Sequence, residues 1–373
     1  MTFENTWSVA AASRRGVSHF QSETPCQDAF GSWSSSFAGN PCSILAVSDG
    51  HGAEDYHHSH FGSFLAIRAA YEEFIEFFQW YSLLKVGPSS LSGVQPAGLE
   101  RDFKASFGRR IVRRWRENVK AFRQEVLRSD LPFEESPDAE FRPFGCTLLA
   151  AMVTADRAFI FQLGDGGIFV RKNGGEILSL SQEDDEPGEA TDSLASGDPE
   201  KAAITSVLVL EDVSALMLAT DGLTKSFSKS DEEMVPKGIR QTVGWLLDRV
   251  TAEKLDVEGP VFDQFLDNCS RGGTGDDVTV AIAFSRSALL AEKEASRKEE
   301  SQKDVSKAPA QKTEGSNHPT DEDGSASSPQ ESKAGGIEDS EAEPVNVTSE
   351  PEAARTGNSC ENEEPAKRAE DVF

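Results

Sequence analysis

The pattern of apolar and polar positions predicts short strands grouped on either side of two long helices. Two apolar runs of strand length, at 7–12 and 42–48, come first, and the second of them ends at an Asp-Gly-His-Gly turn. Apolar residues then recur every three or four positions over 59–80 and over 99–127, which is the spacing of helices buried on one face. The Gly-, Pro- and Ser-rich segment between them, 87–98, predicts a break.

Beyond residue 145 the apolar period shortens, which indicates a series of strands. The predicted strands cover 147–154, 157–163, 167–171, 204–210, 215–220 and 278–284. Two further helices are predicted over 241–250 and 261–269, before the last strand. Strands grouped around helices, without a regular β-α-β alternation, predict an α+β fold built in layers.

The C-terminal residues 288–373 differ in composition from the rest of the chain. They carry 21 acidic and 10 basic side chains, and their one aromatic residue is Phe373. A segment so poor in apolar side chains cannot bury enough surface to offset the entropy that is lost on ordering. We therefore predict a folded domain over 1–287 and a disordered acidic tail over 288–373. A short helix over 288–300 is the one predicted extension of the domain.

The net charge of −27 argues against nucleic acid or an anionic membrane as a partner, because both are bound through a cationic surface. The five cysteines have no CxxC spacing, which is typical of free thiols in a reducing compartment. No stretch reaches the ~20 apolar residues of a membrane span, and the N-terminus lacks the pattern of a signal peptide. We expect a cytoplasmic protein that acts as a monomer.

Several aspartates share one context, the end of an apolar run beside glycine or another small residue. They are Asp49 in SDGHG, Asp165 in LGDGG, Asp221 in ATDG, Asp276 in GTGDD and, less closely, Asp28 in PCQDAF. A carboxylate at the end of a buried strand needs a cation or hydrogen-bond donors. One Asp-Gly is usually a plain turn, but five such carboxylates indicate an all-oxygen site for Mg²⁺ or Mn²⁺. Two such ions about 4 Å apart can activate water and hold a phosphoryl group, so we predict metal-assisted hydrolysis.

The order of these motifs resembles the metal-dependent protein phosphatase family of the protein phosphatase 2C type, over about residues 7–285. The motifs are SDGHG at 48–52, ATDG at 219–222, FGCTLL at 144–149, LGDGG at 163–167 and GDDVTV at 275–280. The SH…PCQDAF pattern of residues 18–30 resembles a divergent bacterial branch. The resemblance implies a phosphatase domain over 1–287 with a four-layer α-β-β-α sandwich, in which helices flank two antiparallel sheets.

The resemblance also implies an activity, the hydrolysis of phosphoserine and phosphothreonine in proteins by a water that bridges two Mn²⁺ or Mg²⁺ ions. The metal ligands that it implies are Asp49, the carbonyl of Gly50, Asp221, Asp276 and Asp28, with Asp165 at a third, weaker metal position. Asp49 would bridge both ions, and Asp28 would act directly or through a water. His51 is the implied general acid for the leaving alkoxide, a role that suits the ordinary histidine pKa of ~6.5.

The chain departs from the family pattern where the substrate phosphate is expected to bind. The family usually has an arginine five residues before the first aspartate, whereas this chain has Glu23, which would repel phosphate. Substitutes for this arginine are His19, Arg14 or Arg15, of which we favour His19. Asp277 stands where many members have asparagine, which keeps an oxygen ligand and adds a charge.

Other interpretations stay open at this stage. The missing arginine favours a pseudophosphatase that keeps the metals and binds phosphoproteins as a scaffold, and hydrolysis of a small phosphoester would change only the substrate. His57, His58 and His60 lack a further zinc ligand, so we interpret them as cap or surface residues. The basic face of the 99–127 helix is interpreted as a solvated surface in preference to a docking surface. The acidic segment 181–200 falls where the family has a variable flap beside the cleft.

Overall fold

The computed structural model of the chain describes residues 7–86, 96–128, 139–181, 192–227, 235–251 and 260–307. The strands are β1 (Trp7–Arg14), β2 (Ala29–Phe37), β3 (Asn40–Ser48), β4 (Leu148–Val153), β5 (Arg157–Leu163), β6 (Gly167–Lys172), β7 (Ile177–Ser179), β8 (Ile204–Val209), β9 (Val213–Ala219) and β10 (Val278–Ser285). The helices are α1 (Val17–Gln21), α2 (Ser59–Val86), α3 (Pro96–Glu125), α4 (Pro199–Ala202), α5 (Asp221–Thr224), α6 (Lys237–Thr251), α7 (Pro260–Gly272) and α8 (Arg286–Lys307).

The strands form two five-stranded sheets in which every neighbouring pair is antiparallel. The order is β1-β10-β9-β6-β7 in the first sheet and β2-β3-β4-β5-β8 in the second. Apolar side chains from both sheets form one cluster between them. Helices α2 and α3 cover the outer face of the second sheet, and α6 and α7 cover the outer face of the first. This arrangement confirms the predicted α+β fold of two antiparallel sheets flanked by helices.

The central strands are buried on both faces, which explains their continuous apolar sequences. On β3, Leu45 and Val47 belong to the cluster between the sheets, whereas Ile44 and Ala46 pack against the α2 and α3 side. A strand that is covered on one face alternates apolar and polar residues, whereas a strand covered on both faces is apolar throughout. The apolar run at 42–48 is therefore the signature of its place in the middle of a layered sheet.

The strand predictions are incomplete at the sheet edges. Strand β2 was not predicted, because its serine-rich sequence AFGSWSSSF is largely solvent-exposed towards its end and lies at an edge of the sheet. The three-residue strand β7 also lies at an edge and was missed. The break predicted over 87–98 is wrong for residues 96–98, because α3 already begins at Pro96. Proline is tolerated at the first position of a helix, since the N–H that it lacks would have no partner within the helix there. The rest of that break, 87–95, lies outside the described residues, as do 182–191 of the predicted flap.

Helix α8 continues the chain beyond the predicted domain boundary. Its Leu289 is 4% exposed and belongs to the cluster under α6 and α7. Its Glu292 accepts hydrogen bonds from Arg171 Nη1 at 2.8 Å and from the Gly174 N–H. Residues 308–373 lie outside the described part of the chain, so the division into a 1–287 domain and a disordered 288–373 tail stays a prediction. None of the helices in the described ranges is long and apolar enough to cross a membrane.

Helices α2 and α3 are joined by a buried carboxylate. Glu73 on α2 is fully buried and accepts hydrogen bonds from Arg110 Nε at 2.7 Å and from Arg114 Nε at 2.8 Å. A carboxylate can be buried in this way because two guanidinium groups compensate for its lost hydration. Part of the basic face that was interpreted as solvated surface therefore serves to hold the two helices together.

Trp115 connects α3 to the start of α2 and to the segment that leads into the site. Its side chain is fully buried, and its indole N–H donates to the Gly62 carbonyl at 3.0 Å. Gly62 in turn lies against the backbone of Phe144, since a Cβ at Gly62 would be 1.8 Å from the Phe144 oxygen. The position of Trp115 therefore supports the 142–147 segment, which contacts the candidate site.

The Trp115→Phe substitution tests this support. We expect the free energy of unfolding to fall by about 1–2 kcal/mol, because one buried hydrogen bond is lost and the smaller ring leaves a cavity. Urea unfolding followed by circular dichroism measures the change. Trp80→Phe is the matched control, since Trp80 is 61% exposed and its substitution should leave stability unchanged. Equal stability of the two variants would show that the Trp115 contact contributes little.

Candidate metal centre and active site

The predicted carboxylates converge at one end of the sandwich. The first residue of β2 pairs with the last residue of β3, which sets Asp28 beside Asp49. The pairing of β9 with β10 likewise brings Asp221, just after β9, near Asp276, which lies shortly before β10. Asp165 occupies the turn that links β5 to β6, and so links the two sheets. Because the sheets face each other, carboxylates from both reach a single cleft of about 330 Å³.

The cleft combines these carboxylates with polar and aromatic side chains. It is lined by His19, Gln27, Asp49, Gly50, His51, Gly52, Ala53, Tyr56, Thr147, Asp165, Asp221 and Asp276. Asp28 is close enough to shift the pKa of Asp49 by its charge. The structure therefore brings together seven other predicted site residues around Asp49, namely His19, Asp28, Gly50, His51, Asp165, Asp221 and Asp276.

Two carboxylate oxygens in this cluster are buried and accept no hydrogen bond from the described residues. They are Oδ1 of Asp28 and Oδ1 of Asp221. The second oxygen of each group is occupied, since Asp28 Oδ2 accepts from the Thr220 hydroxyl at 2.8 Å and Asp221 Oδ2 accepts from Lys225 Nζ at 2.6 Å. A buried carboxylate oxygen without a donor is costly unless a cation binds it. The donor set, which consists of oxygens only, fits hard divalent ions.

The pKa values of three of the carboxylates show the same need for positive charge, whereas for Asp221 burial is outweighed by hydrogen bonding and by the charge of Lys225, which lower its pKa. Burial, followed by the charge of Asp277, raises the pKa of Asp28 well above its ordinary value. Burial and the charges of Asp28 and Asp221 do the same for the pKa of Asp49. Burial also raises the pKa of Asp276. Without a cation, these groups favour the protonated form because burial disfavours their charged form and neighbouring carboxylates repel each further negative charge.

The backbone around Asp49 is fixed from two sides. Thr147 donates its N–H to the Asp49 carbonyl at 2.8 Å, and its hydroxyl accepts the Asp49 N–H at 3.0 Å. The Gly50 N–H donates to the Gln27 carbonyl at 3.1 Å. A Cβ at Gly50 would lie 2.7 Å from that carbonyl oxygen, so only glycine fits between the two segments. The DG motif thus holds its carboxylate and its backbone in a single orientation.

His51 lies on the wall of the cleft beside Tyr56. Their ring centroids are 4.8 Å apart in an edge-on arrangement. The backbone N–H of His51 donates to the Gly145 carbonyl at 3.1 Å, and the backbone carbonyl of His51 accepts from Gln27 Nε2 at 3.1 Å. Burial lowers the pKa of His51, and the charges of Asp165 and Asp221 oppose this shift. The ring is therefore held at the cleft by its backbone and by Tyr56.

His19 is held at the cleft by Asp277. Its Nδ1 lies 2.9 Å from Asp277 Oδ1, and its Nε2 lies 3.6 Å from Asp276 Oδ1. The hydrogen bond with Asp277 raises the pKa of His19 and outweighs the effect of burial. Asp277 is 3% exposed and also accepts hydrogen bonds from the Gly16 and Gln27 N–H groups, each at 2.6 Å. Asp277 is thus an acceptor that organises the loops around the site, a role that the sequence did not indicate.

The arginines that were proposed as substitutes lie elsewhere. Arg14 pairs with Asp267 at 3.2 Å and with Asp263 at 3.6 Å, both on α7, and it does not line the cleft. Arg15 donates to the His19 carbonyl at 2.8 Å and stacks on the Phe20 ring, which lies 4.6 Å from its guanidinium carbon. Of the three candidates for phosphate binding, only His19 lines the cleft.

Lys225 is a member of the site that the sequence analysis missed. Its ammonium lies 2.8 Å from Asp165 Oδ2 and 2.6 Å from Asp221 Oδ2, so it connects two of the predicted metal ligands. The signal that could have revealed it is its spacing, because a residue four positions after Asp221 on a helical turn faces the same side. The sequence analysis also did not identify Thr220, whose hydroxyl donates to Asp28 Oδ2.

The three histidines before and at the start of α2, His57, His58 and His60, pack mainly on aromatic rings. The His58 ring centroid lies 5.3 Å from that of Phe144, and the His60 centroid lies 4.0 Å from that of Phe61. His57 and His58 contact each other edge-on at 4.4 Å. Burial lowers the pKa of both His58 and His60. These contacts suit structural residues near the start of α2.

Comparison with known proteins places these features in a family context. Residues 15–257 match the family model described as "Protein phosphatase 2C". The fold is similar to that of the serine/threonine phosphatase Stp1 from Staphylococcus aureus, with 15% identity, coverage of 76% of this chain and 97% of that chain, and a TM-score of 0.47. It is also similar to a bacterial serine phosphatase (16% identity, 74% and 97% coverage, TM-score 0.47). A third similar structure is the catalytic domain of the serine/threonine phosphatase PstP in complex with two manganese ions (18% identity, 75% and 98% coverage, TM-score 0.40). No curated protein matches the sequence.

Proposed function

The chain belongs to the protein phosphatase 2C family, and we propose that it is an active phosphatase that hydrolyses phosphoserine and phosphothreonine in proteins. The observation that carries this proposal is the convergence of Asp28, Asp49, Asp221 and Asp276, in which two buried oxygens accept no hydrogen bond within the described part of the chain. A decayed enzyme is expected to lose at least one ligand of its metal centre. The complete set therefore favours catalysis over a scaffolding role.

The four carboxylates and the Gly50 carbonyl are the groups that would hold two Mn²⁺ or Mg²⁺ ions. When bound, such a pair of ions supplies an activated water and neutralises charge on the phosphoryl group. The protein's part is to keep the ligands in place, and Thr147 does so through its two hydrogen bonds to the Asp49 backbone. The Thr220 hydroxyl orients Asp28 by donating to its Oδ2.

His19 takes the place of the family arginine in this proposal. Asp277 holds the imidazole by its Nδ1, and the proposed donor to a phosphate oxygen is the Nε2–H, which lies 3.6 Å from Asp276 Oδ1. A histidine offers one donor where an arginine offers a bidentate fork, so we expect weaker binding of phosphate than an arginine would give. Glu23, at the position of the arginine, is solvent-exposed and does not line the cleft.

His51 is proposed to protonate the leaving serine or threonine oxygen. The His51→Asn variant should lower turnover of a phosphothreonine peptide about 100-fold, which is within the usual range for a general acid. It should lower turnover of p-nitrophenyl phosphate far less, because nitrophenolate leaves without a proton. His57→Asn is the matched control, since His57 is exposed and does not line the cleft. An equal loss on both substrates would contradict the general-acid role.

The central test is phosphate release from a phosphothreonine peptide, a small phosphoester and p-nitrophenyl phosphate, each with Mn²⁺, with Mg²⁺ and with EDTA. We expect turnover with either metal and none with EDTA, with the highest kcat/KM on the peptide. Equal rates with and without metal would overturn the proposed chemistry. If the protein binds Mn²⁺ and the phosphopeptide but does not turn the peptide over, it is the phosphoprotein-binding scaffold. The presence of Glu23 in place of the family arginine is the observation that favours this alternative. We expect the active form to be a cytoplasmic monomer.

A further inference from the structure

Lys225 reaches back into the site from the end of one helical turn. Asp221 is the first residue of α5, and Lys225 follows that helix as its C-cap, where its N–H donates to the Asp221 carbonyl at 2.7 Å. Its side chain then returns along the same turn, so that its ammonium meets Oδ2 of Asp221 and Oδ2 of Asp165. Lys225 is thus tied to Asp221 through both its backbone and its side chain.

The two oxygens of Asp221 differ in their surroundings. Oδ1 is buried and accepts no hydrogen bond from the described residues, which leaves it available to an ion held with Asp49. Oδ2 is taken by Lys225, as is Oδ2 of Asp165. An ion between Asp165 and Asp221 would compete with the ammonium for these two Oδ2 atoms. The Lys225 side chain is 55% exposed, so solvent weakens the repulsion between its ammonium and such an ion without removing it.

We propose that Lys225 is a built-in cation that occupies the position between Asp165 and Asp221, so that the protein binds two divalent ions and not a third. The proposal rests on the proposed function for the first two ions, which involve the other oxygen of Asp221. It assigns Lys225 a positioning role, since the ammonium fixes the Asp221 carboxylate with Oδ1 turned to the metal centre. It also predicts that Asp165 is not a metal ligand and that its role in the site is to hold the Lys225 ammonium in place.

The number of bound ions tests this assignment directly. The full-length protein, its Lys225→Gln variant and its Lys225→Asp variant would be dialysed against increasing Mn²⁺, and bound manganese would be counted by elemental analysis, with free Mn²⁺ followed by electron paramagnetic resonance. We expect two ions in the native protein and in Lys201→Gln, a control at an exposed lysine. A third ion should appear in Lys225→Asp, with an affinity at least about tenfold above any third binding to the native protein. The affinity of Lys225→Gln for a third ion should lie between those of the native protein and Lys225→Asp.

Three ions in the native protein, or equal counts in all variants, would overturn the proposal. Thermal unfolding of each metal-free variant verifies that it folds. If Lys225→Asp does not fold, the count of bound ions in Lys225→Gln tests the proposal instead. Phosphopeptide turnover measured on the same samples separates the two claims. Two bound ions without turnover would contradict the phosphatase function alone, whereas turnover with three ions in the native protein would contradict the role of Lys225 alone.

Discussion

Replacing Asp49 with asparagine is expected to lower metal-dependent turnover at least about 1000-fold, equivalent to about 4 kcal/mol of transition-state stabilisation. Burial and the nearby charges of Asp28, Asp221 and Asp276 raise the pKa of Asp49, so its carboxylate lies close to the three other predicted ligands. An asparagine keeps the shape of the side chain but removes the charge that a divalent ion requires. Phosphate release from the phosphothreonine peptide at saturating Mn²⁺ measures the loss.

The same Asp49→Asn substitution should have the opposite effect on stability when no metal is present. The variant relieves repulsion among buried carboxylates, so apo Asp49→Asn should be at least as stable as the apo native protein. Native protein should gain about 2.7 kcal/mol when Mn²⁺ reaches 100 times its Kd, and the variant should gain almost none. Thermal unfolding with and without Mn²⁺ measures both effects. Asp102→Asn, at an exposed position on α3, is the control, and a metal response retained by Asp49→Asn would contradict the assignment.

The Asp277→Asn variant is expected to lose about 3 kcal/mol of stability, although many family members have asparagine at this position. The Asp277 carboxylate accepts the N–H groups of Gly16 and Gln27 and the Nδ1 of His19. Oδ1 of Asp277 faces the Gly16 N–H and His19 Nδ1, and Oδ2 faces the N–H groups of Gln27 and, at 3.4 Å, Asp28. The NH₂ group of an asparagine would therefore face two of these groups in either orientation. A buried donor that loses a charged acceptor costs roughly 1.5–3 kcal/mol, and two donors are affected.

Urea unfolding of metal-free protein measures the effect of Asp277→Asn on stability. Asp212→Asn is the matched control, because the Asp212 side chain is 62% exposed and pairs with Lys172 at 3.6 Å. The KM for the phosphopeptide should also rise in Asp277→Asn, because His19 loses its anchor. A loss of less than about 1 kcal/mol would show that the loops around Gly16 and Gln27 do not depend on the carboxylate.

The sequence predicts the centre of this fold better than its edges. Strand β3 is recognisable because burial on both faces makes its sequence continuously apolar. Edge strand β2 has no such signal, since its alternation is obscured by serines that face solvent. The aspartates of the site could be found because a charge at the end of an apolar strand is unusual in itself.

Partners that come from distant segments could not be predicted in the same way. Arg14 and His19 occur in one short segment, and their chemistry alone does not decide which of them faces the cleft. The choice depends on Asp267, 253 positions away, which pairs with Arg14, and on Asp277, which holds His19. Lys225 was missed for a related reason, since its role depends on Asp165 in the other half of the sequence.

The four clustered carboxylates come in equal numbers from the two sheets. Asp28 and Asp49 belong to the edge of the β2–β3 hairpin, and Asp221 and Asp276 belong to the ends of β9 and β10. Ions shared among them would act as a cross-link between the two sheets and would also offset the repulsion among the four carboxylates. The free concentration of divalent metal around the protein would then govern how firmly the two sheets are held together at the end that carries the carboxylates.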